Sequence, residues 1–213
     1  MHVSQIDRIR GAVGIGMWVV ANPLRVTDVV SWIRHRKESP WERREPWWPH
    51  DAVHFVRDRL PVGADVFEFG GGGSTAWLTD LGANVICVEH EPEWAQKIAT
   101  GAPGADVRLV EPSTVGQFES ANGGFFDEYL SSIHEIGDKS LDLVVVDGRC
   151  RVPCALAAIP KIRDGGLLLL DDSDRDRYRV LHEQLADWPV QHLRGLKPSG
   201  VSICQTSVWT KPR

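Results

Sequence analysis

The segment Val66-Phe67-Glu68-Phe69-Gly70-Gly71-Gly72-Gly73-Ser74-Thr75 constrains the chain more than any other. An apolar run ends in four consecutive glycines and then in hydroxyl residues, which predicts a strand, a tight turn and a helix start. Glycine permits the backbone angles of such a turn and lets a ligand approach main-chain amides at a helix N-terminus. Ser74 or Thr75 then caps the helix. A glycine run alone also serves any tight turn, so its meaning rests on what flanks it. Glu68, directly before the glycines, would repel a diphosphate at this turn and attract a cationic amino group.

Around this turn, strand and helix patterns alternate. Residues 51–60 predict a helix, with Val53, Val56 and Leu60 on one side. Strands are expected over 65–69, 84–88, 106–110, 141–146 and 166–170, with helices over 74–81, 93–100, 154–162 and 178–185 between or after them. Residues 111–140 are less regular. The strands at 141–146 and 166–170 are almost wholly apolar, which suits burial on both faces. Residues 190–196 and 201–211 predict two further strands joined by Lys197-Pro198-Ser199-Gly200, an antiparallel hairpin at one sheet edge. The order implies an α/β fold with a mostly parallel sheet, helices on both faces and a C-terminal hairpin.

At 213 residues the chain has the length of one principal domain. Residues 46–213 form that domain, and residues 1–45 are expected to be a helical extension or cap that offers a homodimer contact. The apolar run 11–24 follows Arg8 and Arg10. It is too short to span a bilayer, so a packing helix is a better reading than a cleaved signal. Four cysteines are too few for a disulfide scaffold, so a reducing, cytoplasmic location is expected. Residues 1–45 carry eight Lys or Arg against five Asp or Glu, so the main domain holds the acidic excess behind a net charge of −5. That balance argues against a nucleic-acid partner, and no membrane partner is expected. Trp41, Trp47 and Trp48 lie on a proline-rich connector. They either pack on the main domain or form a wall of a substrate cleft.

Two further groups of acids complete the candidate site. Glu89 follows the strand 84–88, 21 residues after Glu68, where a carboxylate accepts hydrogen bonds from both hydroxyls of a ribose. His90 and Trp94 are placed to pack beside a base. Asp147 ends the strand 141–146, and Asp171-Asp172 ends the next one. Ligands bind at the carboxyl ends of parallel strands, so these acids should converge on the rim that carries Glu68 and Glu89. Crowded carboxylates need a cation: either a hard divalent ion such as Mg²⁺, held by Asp147, Asp171 and Asp172, or arginines such as Arg149, Arg151, Arg163, Arg175 and Arg177.

The succession Glu68-Phe69-Gly70-Gly71-Gly72, Val88-Glu89-His90, Val146-Asp147-Gly148-Arg149 and Gly165-Gly166-Leu167 with Asp171-Asp172 resembles class I S-adenosylmethionine-dependent methyltransferases over residues 50–210. The resemblance implies a Rossmann-like seven-stranded sheet with S-adenosylmethionine as cofactor. Glu68, Gly70, Gly72, Ser74 and Thr75 would lie near its methionine portion, Glu89 on its ribose and His90 alongside. Asp147, Asp171 and Asp172 resemble the metal ligands of catechol and macrolide-sugar O-methyltransferases. There the ion lowers a hydroxyl pKa. The lysine or histidine that those families place three residues after the first aspartate is Cys150 here, so the general base is Asp147 or a histidine such as His134. The chain also resembles bacterial glycan-modifying O-methyltransferases. The expected activity is methyl transfer to a hydroxyl of a sugar, oligosaccharide or other small polar metabolite. Its rivals are a nicotinamide-dependent oxidoreductase and a non-catalytic nucleoside-binding protein of the same fold.

Overall fold

Apolar residues on both faces of the central strands draw helices onto both sides of a seven-stranded sheet. The computed structural model describes residues 15–21, 26–35, 37–198 and 203–213. The expected apolar run 11–24 and the hairpin turn at Ser199 and Gly200 fall partly outside these residues. The strands are β1 (Asp65–Phe69), β2 (Asn84–Glu89), β3 (Asp106–Leu109), β4 (Leu141–Val146), β5 (Ile162–Leu170), β6 (Val190–Leu196) and β7 (Ile203–Thr210). Their order across the sheet is β3-β2-β1-β4-β5-β7-β6. Six strands, β1 to β6, point the same way, and β7 enters antiparallel between β5 and β6. The order reverses between β1 and β4, the switch point at which open α/β sheets bind ligands.

Period-two alternation sorts the core. Phe67, Phe69, Val144, Val146, Leu168 and Leu170 face one layer. Val66, Leu143, Val145, Leu167 and Leu169 face the other, where Trp48, Ala52, Val56 and Leu78 meet them. The helices are α1 (Val26–His35), α2 (Pro40–Arg43), α3 (His50–Arg57), α4 (Gly73–Asp80), α5 (Pro92–Gly101), α6 (Asp127–Ser131), α7 (Arg151–Ala158) and α8 (Arg179–Gln184); residues 15–21 are also helical. No helix among the described residues is long and apolar enough to cross a membrane.

Two boundaries differ from expectation in ways that matter for the site. Helix α7 starts at Arg151 rather than residue 154, because Pro153 falls in the first turn, where a missing amide is tolerated. It ends before Pro160, and Ile162 begins β5 instead of closing the helix. The connector is no spacer. The Ser39 side chain caps α2, and the Arg44 guanidinium binds both oxygens of Asp80 at 2.7 Å and the Gly101 carbonyl at 2.6 Å. A Cβ on Gly73 would stand 2.5 Å from the Pro40 carbonyl oxygen and 2.2 Å from that of Glu45, so this strap lies directly against the start of α4.

Candidate active site

The glycine turn is built by close approach. Gly70 has φ +84°, and a Cβ there would stand 2.4 Å from the Gly148 Cα, so only glycine lets the turn after β1 touch the turn after β4. The turn's amides already have acceptors within the chain. Gly70 N donates to the Val88 carbonyl at 2.9 Å, Gly71 N to Glu89 Oε2 at 3.2 Å and Gly72 N to Thr75 Oγ1 at 2.9 Å. A pyrophosphate needs such donors free. The turn therefore favours a cofactor without a diphosphate, which tells against the nicotinamide reading. Trp94 Nε1 donates to the Gly71 carbonyl at 2.9 Å and braces the turn from α5.

Strand alternation puts Glu68 on the same side as Val66, beneath α4 rather than on the open rim. It is fully buried, and its oxygens meet Ser74 Oγ and Thr75 Oγ1, both at 2.5 Å. Burial pushes its pKa up to about 8 against the opposing effect of the two hydroxyls, and the charges of Asp147 and Glu89 push the same way. At neutral pH it is mainly the neutral acid. This corrects the expectation that a Glu68 carboxylate attracts the ligand from the rim. Glu68, Ser74 and Thr75 instead form a latch behind the turn. Thr75, not Ser74, takes the amide at the helix start.

Glu89 ends β2 and is almost fully buried. Burial opposes its charge, but bonds from the His90 side chain, the His90 amide and the Glu91 amide outweigh it and hold the carboxyl below its usual value. His90 Nε2 accepts from Arg149 Nε at 3.0 Å. Arginine only donates, so the ring proton sits on Nδ1, 2.6 Å from Glu89 Oε1. The His90 ring also packs edge-on against Phe126 and Tyr129. This side of the rim thus has an ionised acid beside a histidine ring that buried aromatic residues hold in place.

The acids of β4 and β5 do converge, and each one has a basic partner. Arg151 Nη2 donates to Asp147 Oδ1 at 2.7 Å and to the Asp147 carbonyl at 2.6 Å, while Nη1 reaches the Asp171 carbonyl at 2.5 Å. Lys197 Nζ donates to Asp171 Oδ2 at 2.6 Å and Asp172 Oδ1 at 2.9 Å. Thr206 Oγ1 bonds Asp171 Oδ1 at 2.6 Å, and Arg175 pairs with Asp172. Burial opposes the Lys197 charge, yet Asp171 and its neighbours outweigh that and raise the ammonium's pKa. Asp147 behaves differently. Burial, reinforced by Asp171 and opposed by Arg151, lifts its pKa to about 7, although its side chain remains partly open to solvent.

A divalent ion does not fit this set. Both oxygens of Asp171 are engaged, an ammonium bridges Asp171 and Asp172, and no three His, Cys, Asp or Glu side chains among the described residues are arranged to hold a metal. Of the two partners expected for these acids, Mg²⁺ or basic side chains, the structure shows basic side chains paired with all three. Among the arginines, Arg151 and Arg175 take part, Arg163 pairs with Asp142, and Arg149 serves His90. Lys197 carried no signal in the sequence beyond its place in a turn. His134 is exposed on a 3-10 turn, Ser132–Glu135. Trp48 is core, and Trp41 lies against Gly101 and Trp94. Trp47 is half exposed, with Lys197 Nζ 5.6 Å from its ring centre.

The comparisons agree with this geometry. A family model described as a methyltransferase domain matches residues 67–173, half of the chain. No curated protein matches the chain in sequence. A methyltransferase-like protein from Silicibacter pomeroyi is similar in structure, with a TM-score of 0.53 and 24% identity over 79% of this chain and 90% of that one. A precorrin-6y C5,15-methyltransferase from Geobacter metallireducens gives 0.51 and 16% over 75% and 86%. A spermidine synthase from Thermotoga maritima gives 0.51 and 10% over 74% and 56%. At these identities the likeness is one of fold, and the family match carries the rest.

Proposed function

Because the chain belongs to the methyltransferase-domain family, we propose that it is an S-adenosylmethionine-dependent enzyme that methylates a hydroxyl of a sugar or other small polar metabolite, with Asp147 as general base. The observation that carries this reading is the Asp147 carboxyl. It stands at the end of β4 beside the glycine turn, its amide bonded to the Phe69 carbonyl at 2.9 Å, with a pKa near neutrality. A base works best when its pKa lies near the working pH.

The residues fit the donor. Glu89 presents an ionised carboxyl for ribose hydroxyls, the partly open His90 ring, backed by Phe126 and Tyr129, stands beside it for the base, and the acids around the turn suit a net positive molecule. When bound, S-adenosylmethionine supplies an activated methyl group: the oxygen–carbon bond forms as the carbon–sulfur bond breaks, and sulfur keeps the electron pair. The chain's own work is to orient the hydroxyl and take its proton on Asp147, with Arg151 holding Oδ1 so that the other oxygen is presented. Half-exposed Trp47, beside the rim, gives a pyranose a stacking surface.

The test is transfer of a labelled methyl from S-adenosylmethionine into a panel of sugars, polyols, phenols and matched amines. Label in hydroxyl acceptors that disappears in Asp147→Asn supports the reading. Transfer confined to amines or to carbon acceptors would sink it.

A further inference from the structure

Asp147, Asp171 and Asp172 stand at the carboxyl ends of adjacent strands, where three negative charges need compensation. The compensation comes from distant parts of the chain. Arg151, in the first turn of α7, bonds the carbonyls of Asp147 and Asp171 and so clasps β4 to β5. Lys197, after β6, reaches across β7 to the end of β5. It is 8% exposed and Asp171 2%, so their charges meet largely out of water. Asp172 itself has φ +52°, a left-handed backbone that turns its carboxylate towards Lys197 and Arg175.

We infer that Lys197 and Arg151 are resident cations that fill this rim in place of a divalent ion, so that methyl transfer here is metal-independent and Lys197 is a positioning residue for the acidic cluster. The inference rests on the methyltransferase reading above. A Mg²⁺ ion must stand about 2.0–2.1 Å from its oxygens and resists distortion of its octahedron. At Asp171 and Asp172 it would press against an ammonium already seated on both carboxylates. The Asp147 oxygen facing Arg151 is likewise taken. The oxygen left over accepts no hydrogen bond from the described residues, which suits a proton acceptor better than a metal ligand.

The experiment combines three independent readings on the full chain: calorimetric titration with S-adenosylmethionine, loss of the free Mn²⁺ electron-paramagnetic signal, and transfer of labelled methyl with and without a chelator. Wild type should bind the cofactor, leave the Mn²⁺ signal unchanged and transfer label equally with and without a chelator. Lys197→Met, with the rim one cation short, should take up Mn²⁺ and lose that uptake when Asp171→Asn is added. Stoichiometric Mn²⁺ uptake by wild type that Asp171→Asn abolishes, or transfer that stops under chelator and returns with Mg²⁺, would overturn the inference. So would a folded Lys197→Met that leaves the Mn²⁺ signal untouched. Should that variant fail to fold, the wild-type arms decide alone. Wild type that binds neither cofactor nor Mn²⁺ refutes the methyltransferase reading instead.

Discussion

Replacing Glu68 by Gln tests the latch behind the glycine turn. The wild-type carboxyl is fully buried, and burial raises its pKa from 4.5 to about 8. A raised folded-state pKa means that the folded protein holds the proton more tightly than the unfolded chain. The resulting stability is complete below about pH 4.5 and is lost as pH rises through about 8. At about 1.4 kcal/mol per pH unit, the loss over that window is roughly 5 kcal/mol. Glutamine resembles the neutral acid but has no proton to lose. It must, however, fit an amide NH₂ where the oxygens stand 2.5 Å from Ser74 and Thr75, at a cost of about 1 kcal/mol. The variant should therefore be less stable than wild type at pH 5 and more stable at pH 9 by roughly 4 kcal/mol, with the curves crossing between about pH 5 and 6. Urea unfolding of both proteins across this range measures the difference, and subtraction removes the titrating groups that do not interact with Glu68; Asp147 and Glu89, whose charges act on it, contribute to the difference as part of the same cluster. A constant offset from pH 5 to 9 would refute the buried-acid account.

Asp147→Asn should lower kcat roughly 10²- to 10⁴-fold while S-adenosylmethionine still binds, since only proton removal is lost. Wild-type kcat/KM should rise with pH and level off above about 7, as Asp147 must be unprotonated to act; a flat profile from pH 5 to 9 would exclude it as the base. Gly70→Ala combines a positive φ with a collision against the Gly148 backbone, so it should cost about 3 kcal/mol or more in chemical denaturation. Uptake of the positively charged cofactor near pH 7 should release up to about half a proton, because Asp147 on the rim is about half protonated there and a nearby cation favours its charged form. Calorimetry in buffers of different ionisation enthalpy reads that number, and buffer-independent heats would contradict it.

The sheet was legible from the sequence because its strands are buried on both faces. Val144, Val145 and Val146 have nowhere to go but between two helical layers, and the boundaries of β1, β4 and β6 follow directly. Glu89 and Asp147 were legible for a related reason: a charged residue directly after an apolar strand marks the rim. What one-dimensional spacing leaves open is the direction of a side chain when two directions are chemically acceptable. Glu68 could face the ligand or the underside of α4. The sequence holds both its apparent ligand role and the Ser74 and Thr75 hydroxyls that in fact engage it, and only the strand register decides between them.

Lys197 marks a second limit. Three acids near one rim require cations, and that much follows from Coulomb's law alone. Which cation answers is decided by long-range pairing, since antiparallel insertion of β7 between β5 and β6 brings the end of β6 within reach of Asp171, 26 residues back along the chain. Nearby arginines drew attention by proximity in sequence, and only Arg151 and Arg175 proved close in space to these acids. The same three carboxylates therefore describe a metal centre or a salt-bridge network until Lys197 is located. That makes Lys197, more than any of the acids, the residue whose identity should separate metal-dependent from metal-independent chemistry on this rim.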